Sequence, residues 1–207
     1  MKYESLIFDI DGTLWDTCAL IAEGWNSCLR EEGLEHLQTD ADALKPLFGK
    51  VAEDIADVLF PSLPEQERYA LMQRCLINGN RYMQQHPCQV GYPGVRETLE
   101  ALSKQHRIFI VSNCQVGYPQ LCMEKLGLTP FVSGHLCYGD TGTSKGRTIR
   151  TLMARHNLTS CIYIGDTLGD QMACREAGIP FIFAAYGLGQ ANAWDARIES
   201  ITDLCRM

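Results

Sequence analysis

Apolar residues follow two rhythms along the chain. Four short continuous runs, 5–10 (SLIFDI), 107–113 (RIFIVSN), 160–166 (SCIYIGD) and 180–186 (PFIFAAY), each break at their carboxyl end into polar or glycine-containing sequence. Runs of this length, rich in Ile, Phe and Tyr, predict strands buried on both faces. Between them, apolar positions recur at helical spacing. Val95, Leu99 and Leu102 share a face in 94–105, and Leu121, Cys122 and Leu126 in 117–127. Ile149, Leu152 and Met153 do so in 145–157, as do Met172, Ala173 and Ala177 in 169–179. Gly127 and Gly178 supply C-terminal stops for two of these helices. Strands alternating with helices predict an α/β fold, a Rossmann-like doubly wound parallel sheet.

Residues 17–89 break the rhythm. No strand pattern occurs there; 18–33 and 64–86 predict long helices, and 41–60 predicts two shorter ones interrupted near Pro46–Gly49. The expectation is an all-helical insert at 17–89, with 1–16 and 90–207 forming the sheet domain. The insert carries eleven acids against six bases, most of the chain's net charge of −7. A solvated outer face accounts for such a charge excess.

Composition narrows the partners. A chain of 207 residues with 46% apolar content can bury a sizeable core. The acidic balance argues against a general nucleic-acid binder, which needs a basic footprint. No apolar run reaches the roughly 20 residues of a membrane span, so no membrane partner is expected. Ten cysteines include no C-x-x-C pair, and several lie in apolar runs. Reduced thiols packed as small hydrophobes in a cytoplasmic protein fit that usage. Monomer is the default state.

The chemistry lies where the strands stop. Ligands of an open parallel sheet bind beyond the carboxyl ends of its strands. The sequence sends there Asp9 and Asp11, then Ser112 and Asn113, then Asp166 and Asp170, with Lys145 opening a helix. Converging acids need a divalent cation, and an all-oxygen shell suits Mg²⁺. A carboxylate beside such an ion can attack phosphorus, while the ion, a lysine and hydroxyls stabilise the transition state. Asp9 is the candidate nucleophile. Asp11, two residues on and pointing the same way along an extended chain, is the candidate proton shuttle. Gly12 permits the tight turn between them and Thr13, which adds a hydroxyl.

These motifs, DIDGTLWDT, VSN, Lys145 and GDTLGD, occur in an order that resembles the haloacid dehalogenase superfamily, and specifically its phosphatases with a helical cap of the first type. The resemblance covers essentially the whole chain. It implies a phosphatase acting through an aspartyl-phosphate on a small phosphorylated metabolite. It implies Asp9 as nucleophile and Asp11 as general acid/base, with Thr13, Ser112, Asn113 and Lys145 binding the phosphoryl group. Mg²⁺ would sit on Asp9, the Asp11 carbonyl and Asp166, with Asp170 in support. The insert would be the cap, hinged near Asp16-Thr17 and Gly91–Gly94 and closing over substrate. The branch nearest in pattern contains phosphoglycolate phosphatases and β-phosphoglucomutase.

Departures weigh on the mutase alternative. The mutase histidine after motif one is replaced by Ile21, and its cap-loop arginine by Ala52, for which Lys50 could partly substitute. Thr17, Ile21, Trp25 and Lys50 are the candidate cap residues facing substrate, although a tryptophan on a helix face also serves core packing. A phospho-accepting receiver module is the alternative from another class; it would carry its acceptor aspartate after the third strand and no insert after the first. Cys114, beside Ser112 and Asn113, is a candidate redox-sensitive thiol.

Overall fold

The computed structural model describes residues 2–87 and 89–207. The chain divides into two compact units, residues 1–16 with 90–207, and residues 17–89.

The first unit is built on six parallel strands: β1 (Ser5–Phe8), β2 (Arg107–Ser112), β3 (Val132–Cys137), β4 (Cys161–Gly165), β5 (Phe181–Ala184) and β6 (Ala196–Ile198). Their order is β3-β2-β1-β4-β5-β6. The sheet is therefore doubly wound, as the alternating pattern predicts. Register puts Phe8 beside Ile110 and Ile164, so β1, β2 and β4 end within two residues of one another. Period-two alternation divides their side chains between the faces. Ile7, Phe109, Val111 and Tyr163 join one core cluster with Ile149 and Leu152 of the helix Lys145–His156 and Ala173 and Cys174 of the helix Leu168–Ala177. Leu6, Phe8, Ile108, Ile110, Ile162 and Ile164 are equally buried on the other face. Each such aliphatic side chain contributes about 1.5–3 kcal/mol relative to exposure.

The helices of this unit are α5 (Val95–Ser103), α6 (Tyr118–Lys125), α7 (Tyr138–Thr141), α8 (Lys145–His156) and α9 (Leu168–Ala177), followed by a 3-10 turn at Ile201–Arg206. Two strands lie outside the apolar-run prediction. β3 reads VSGHLC, and its edge position leaves Val132, Gly134 and His135 half-buried, so no continuous apolar run marks it. β6 is three residues long at the opposite edge.

The second unit contains α1 (Cys18–Glu31), α2 (Ala41–Leu44), α3 (Ala52–Leu59) and α4 (Glu65–Gln85). The predicted interruption at 46–49 is real: α2 passes into a 3-10 turn at Lys45–Leu47, and Pro46 and Gly49 separate it from α3. Helices α1 and α4 pack closely because two glycines meet, a Cβ on Gly24 lying only 3.0 Å from the Gly79 Cα. Such small-residue contacts let helix backbones approach.

Candidate active site

The adjacent carboxyl ends of β1, β2 and β4 bring the sequence-predicted residues of the sheet unit to one rim. Asp9 follows β1, Ser112 ends β2, Asn113 follows it, and Asp166 follows β4. Asp9, Thr13, Ser112, Lys145, Asp166 and Asp170 are buried, while Asp11 and Asn113 are half-buried.

Local structure aims each group. Ser144 caps α8 by accepting from the Arg147 N–H, which places Lys145 in the first helical position. Thr167 caps α9 in a reciprocal capping box with Asp170. Asp170 Oδ2 accepts from the Thr167 N–H (3.0 Å) and hydroxyl (2.7 Å) and from the Asp166 N–H (3.2 Å). That leaves Oδ1 to accept from Lys145 Nζ at 2.6 Å. The same ammonium donates to Asp9 Oδ1 at 3.0 Å. Lys145 thus bridges two buried carboxylates.

Asp9, Asp166 and Asp170 each offer an oxygen, and the three lie within 4.8 Å of one another. One lysine does not neutralise three acids. Burial, reinforced by Asp170, pushes the Asp9 carboxyl up to about 7 even though Lys145 opposes it. Burial, with Asp170 and Asp9, pushes Asp166 up to about 8. For Lys145, burial works against the charge, yet the attraction of Asp170 and Asp9 outweighs it and raises the group further. Asp9 Oδ2 is buried and finds no hydrogen-bond partner among the described residues. An orphaned carboxylate oxygen in an acid-rich pocket fits a bound cation, which would both partner it and favour ionisation. Asp170, with both oxygens engaged, acts mainly as the anchor of Lys145.

Asp166 is held by a loop that the motif pattern does not include. Its Oδ2 accepts from the backbone N–H groups of Leu188 (2.8 Å) and Gly189 (3.0 Å), and its Oδ1 from the Thr13 hydroxyl at 3.4 Å. The loop comes this close because a Cβ on Gly187 would lie 2.3 Å from both Asp166 Cβ and the Gly12 carbonyl oxygen. Gly12, at φ +79°, is under the same constraint: its Cβ would lie 2.1 Å from Asp166 Oδ2. The sequence signal was the glycine pair in YGLG after a strand, a mark of close backbone approach. Tyr186 from this loop donates its hydroxyl to the Thr13 carbonyl at 2.9 Å.

Asp11 stands apart from the acid cluster. Its Oδ1 accepts from Trp15 Nε1 and from the Tyr118 hydroxyl, both at 2.8 Å. Neither aromatic was among the candidate site residues, and Tyr118 lies too far along the chain for any spacing to reveal it.

The remaining candidates fall in the helical unit. Thr17 is buried immediately before α1. Ile21 and Trp25 are buried too and pack on Gly79 of α4, which accounts for both residues as core of that unit. Lys50 is exposed. Cys114 is half-buried, and its thiol is pushed up by burial and by neighbouring Cys137, the reverse of what a redox-sensitive thiolate requires. The nine described cysteines are free thiols. No described helix is long and apolar enough to cross a membrane.

The family model described as haloacid dehalogenase-like hydrolase matches residues 6–184. The chain belongs to this family, and within it to the phosphoric monoester hydrolases. It is 30% identical over 192 residues to a phosphoglycolate phosphatase of Agrobacterium fabrum, covering 87% of this chain and 80% of the relative. It is 25% identical over 210 residues to an N-acetylmuramic acid 6-phosphate phosphatase of Pseudomonas putida, covering 96% and 92% of the two. Its fold superposes on a haloacid dehalogenase-like family hydrolase of Streptococcus pneumoniae with a TM-score of 0.82 at 21% identity, covering 99% and 97%. Family membership sets the receiver alternative aside.

Proposed function

We propose that this enzyme is a Mg²⁺-dependent phosphatase that hydrolyses a small phosphomonoester through an aspartyl-phosphate on Asp9. The observation that carries the reading is the buried Asp9 carboxylate, bonded to Lys145 through one oxygen and with no partner among the described residues on the other. Asp9, Asp166 and the Asp11 carbonyl would hold Mg²⁺, with Asp170 behind them; when bound, the ion supplies charge neutralisation for the acids and the phosphoryl oxygens.

The chain's own residues do the rest. A carboxylate oxygen of Asp9 attacks phosphorus as the bond from phosphorus to the leaving oxygen breaks. Asp11 gives its proton to that oxygen, so the leaving group departs as an alcohol. Water then attacks the phosphorus of the acyl phosphate, Asp11 takes the water proton, and Asp9 is released with inorganic phosphate. Lys145, Thr13, Ser112 and Asn113 bind the phosphoryl oxygens and meet the charge that develops on them. The helical unit serves as the cap, with the exposed Lys50 as its candidate residue for contact with a substrate. Small phosphorylated carboxylates and sugar acids are the substrate class suggested by the relatives' names.

A panel of phosphorylated metabolites, assayed for phosphate release with Mg²⁺ and with EDTA, tests the reading. Release should depend on the cation. Asp9→Asn should lose at least about 10⁴-fold in turnover, the scale expected when a nucleophile is removed. Full activity in EDTA or in Asp9→Asn would overturn the assignment.

A further inference from the structure

Each clustered acid has two carboxylate oxygens, and the chain does not engage them equally. Asp9 Oδ1 accepts from Lys145, while Oδ2 finds no partner among the described residues. Asp170 is engaged at both oxygens, by Lys145 on one and by Thr167 and the Asp166 N–H on the other. Asp166 Oδ2 accepts from the Leu188 and Gly189 N–H groups at 2.8 and 3.0 Å. A carboxylate oxygen has about two lone-pair sites, so two well-formed bonds fill it. Gly12 closes a further side, because a side chain there would collide with Oδ2. Asp166 Oδ1 meets only the Thr13 hydroxyl among the described residues, at a long 3.4 Å. One lightly engaged oxygen is left on Asp9 and one on Asp166. The loop that fills Asp166 Oδ2 is tied at several points. Gly187 N–H donates back to the Ala184 carbonyl at 3.1 Å. Tyr186 donates its hydroxyl to the Thr13 carbonyl at 2.9 Å, and its ring meets Tyr92 edge to face, with centroids 4.9 Å apart. The same loop therefore holds the donors on Oδ2 and the residue whose hydroxyl reaches Oδ1.

We infer that the 186–189 loop determines which cation the site prefers: by filling Asp166 Oδ2 it holds this acid to a single coordinating oxygen, and so favours Mg²⁺ over Ca²⁺. The inference rests on the proposed cation site and deepens it. Mg²⁺ is small, keeps an octahedral shell with several waters and takes only one or two carboxylates. Ca²⁺ takes about 6–8 oxygens and commonly grips a carboxylate by both of them. Choice between the two follows ligand number and flexibility. A pocket that offers one oxygen per acid suits the smaller ion and starves the larger. For Asp166 to give its second oxygen, the Leu188 and Gly189 amides must lose their acceptor, and an unpaired amide is costly where it is shielded from water. Tyr186, through its bond to Thr13, is a positioning residue in this scheme; it holds the amides in place and does not itself meet the ion.

Cation affinity without substrate tests this independently of activity. The melting temperature of the purified protein is followed against MgCl₂ and against CaCl₂, and the two dissociation constants are taken from the concentration dependence. Leu188→Pro deletes one of the two N–H donors outright. Gly187→Ala drives the loop away from Asp166. In either variant the Mg²⁺ constant should rise about 10-fold or more, the scale seen when a metal ligand loses its outer partners. The Ca²⁺ constant should hold or fall, because Oδ2 becomes its second oxygen, and the preference moves toward Ca²⁺ by about 10-fold or more. A loop with a merely structural role would weaken both cations alike. Tyr186→Phe keeps the ring and removes only the hydroxyl, so it decides the matter if the loop variants do not fold. It should move the preference the same way by about 3-fold, the scale of one neutral hydrogen bond. An unchanged preference, or a shift toward Mg²⁺, in the variants that still melt cooperatively would overturn the inference. Asp166→Asn is the control for the underlying reading. If it leaves Mg²⁺ affinity intact, the proposed cation site falls, and this inference with it. If it abolishes Mg²⁺ binding while the loop variants weaken both cations equally, only the role in cation choice falls.

Discussion

The two units differ in what they hide. The sheet unit buries Asp9, Lys145, Asp166 and Asp170, four ionisable groups within one small volume. Among the described residues of the helical unit, no Asp, Glu, Lys or Arg is buried, and its charges sit on the outside as exposed pairs such as Arg74 with Glu32. Buried charge is costly unless it is matched. A fold keeps it where chemistry requires it and elsewhere leaves charge in water. The contrast is what the proposed reaction at the sheet unit requires, and it separates charges that are packed against one another from charges that keep a surface solvated.

Removing the central cation should break this contrast most severely. Lys145→Met leaves Asp9 and Asp170 facing each other unpaired, and breaking a buried pair costs about 3–5 kcal/mol. Chemical denaturation should register that loss, and phosphate release should vanish with it. Gly187→Ala should come next. Its Cβ would lie 2.3 Å from Asp166 Cβ and the Gly12 carbonyl oxygen, so the loop must withdraw and take the Leu188 and Gly189 amides with it. A cost of about 1–3 kcal/mol is the usual consequence of such overpacking. Mg²⁺ titration should show weaker binding in the same variant, because Asp166 loses the donors that orient it.

The pH dependence of stability sharpens the comparison without any mutation. Asp9 and Asp166 are pushed up by burial to about 7 and about 8, above the ordinary carboxylate range they regain on unfolding. Between those limits the cation-free native state binds more protons than the unfolded chain. Stability is therefore fully present at acid pH and is lost as pH rises through about 7 to 8. Melting curves in EDTA should move down between about pH 5 and about pH 8.5, and Mg²⁺ should raise them most at the alkaline end, where its ligands are ionised. The smallest effect belongs to the helical unit. Arg74→Ala removes an exposed pair, with side chains 49% and 27% accessible, and should cost about 0–1 kcal/mol, less in high salt.

How much of this was legible in the sequence follows the same division. The sheet announces itself through four apolar runs, and the motif residues through their places at the run ends. Strand β3 was not legible, because its edge position tolerates Ser133, Gly134 and His135 where a central strand would need hydrophobes. The acids were legible and their partners were not. Tyr118 reaches Asp11 across 107 positions of sequence, and the amides that orient Asp166 are backbone groups, which leave no residue signature. In the helical unit, Trp25 looked suited to a pocket, yet its ring fills the space opened by Gly79. An aromatic on an amphipathic stripe carries the same pattern in either role. Lys50 and Thr17 have side chains too generic to name a substrate.

The most direct test of the central claim is a crystal structure of the enzyme with Mg²⁺ and beryllium fluoride, a mimic of the phosphoryl group. The account predicts beryllium bonded to a carboxylate oxygen of Asp9 and the metal shared between Asp9 and Asp166, with Lys145 against the fluorides. Beryllium fluoride and metal lodged away from Asp9, or an Asp9 carboxylate still bare beside an occupied metal site, would contradict it.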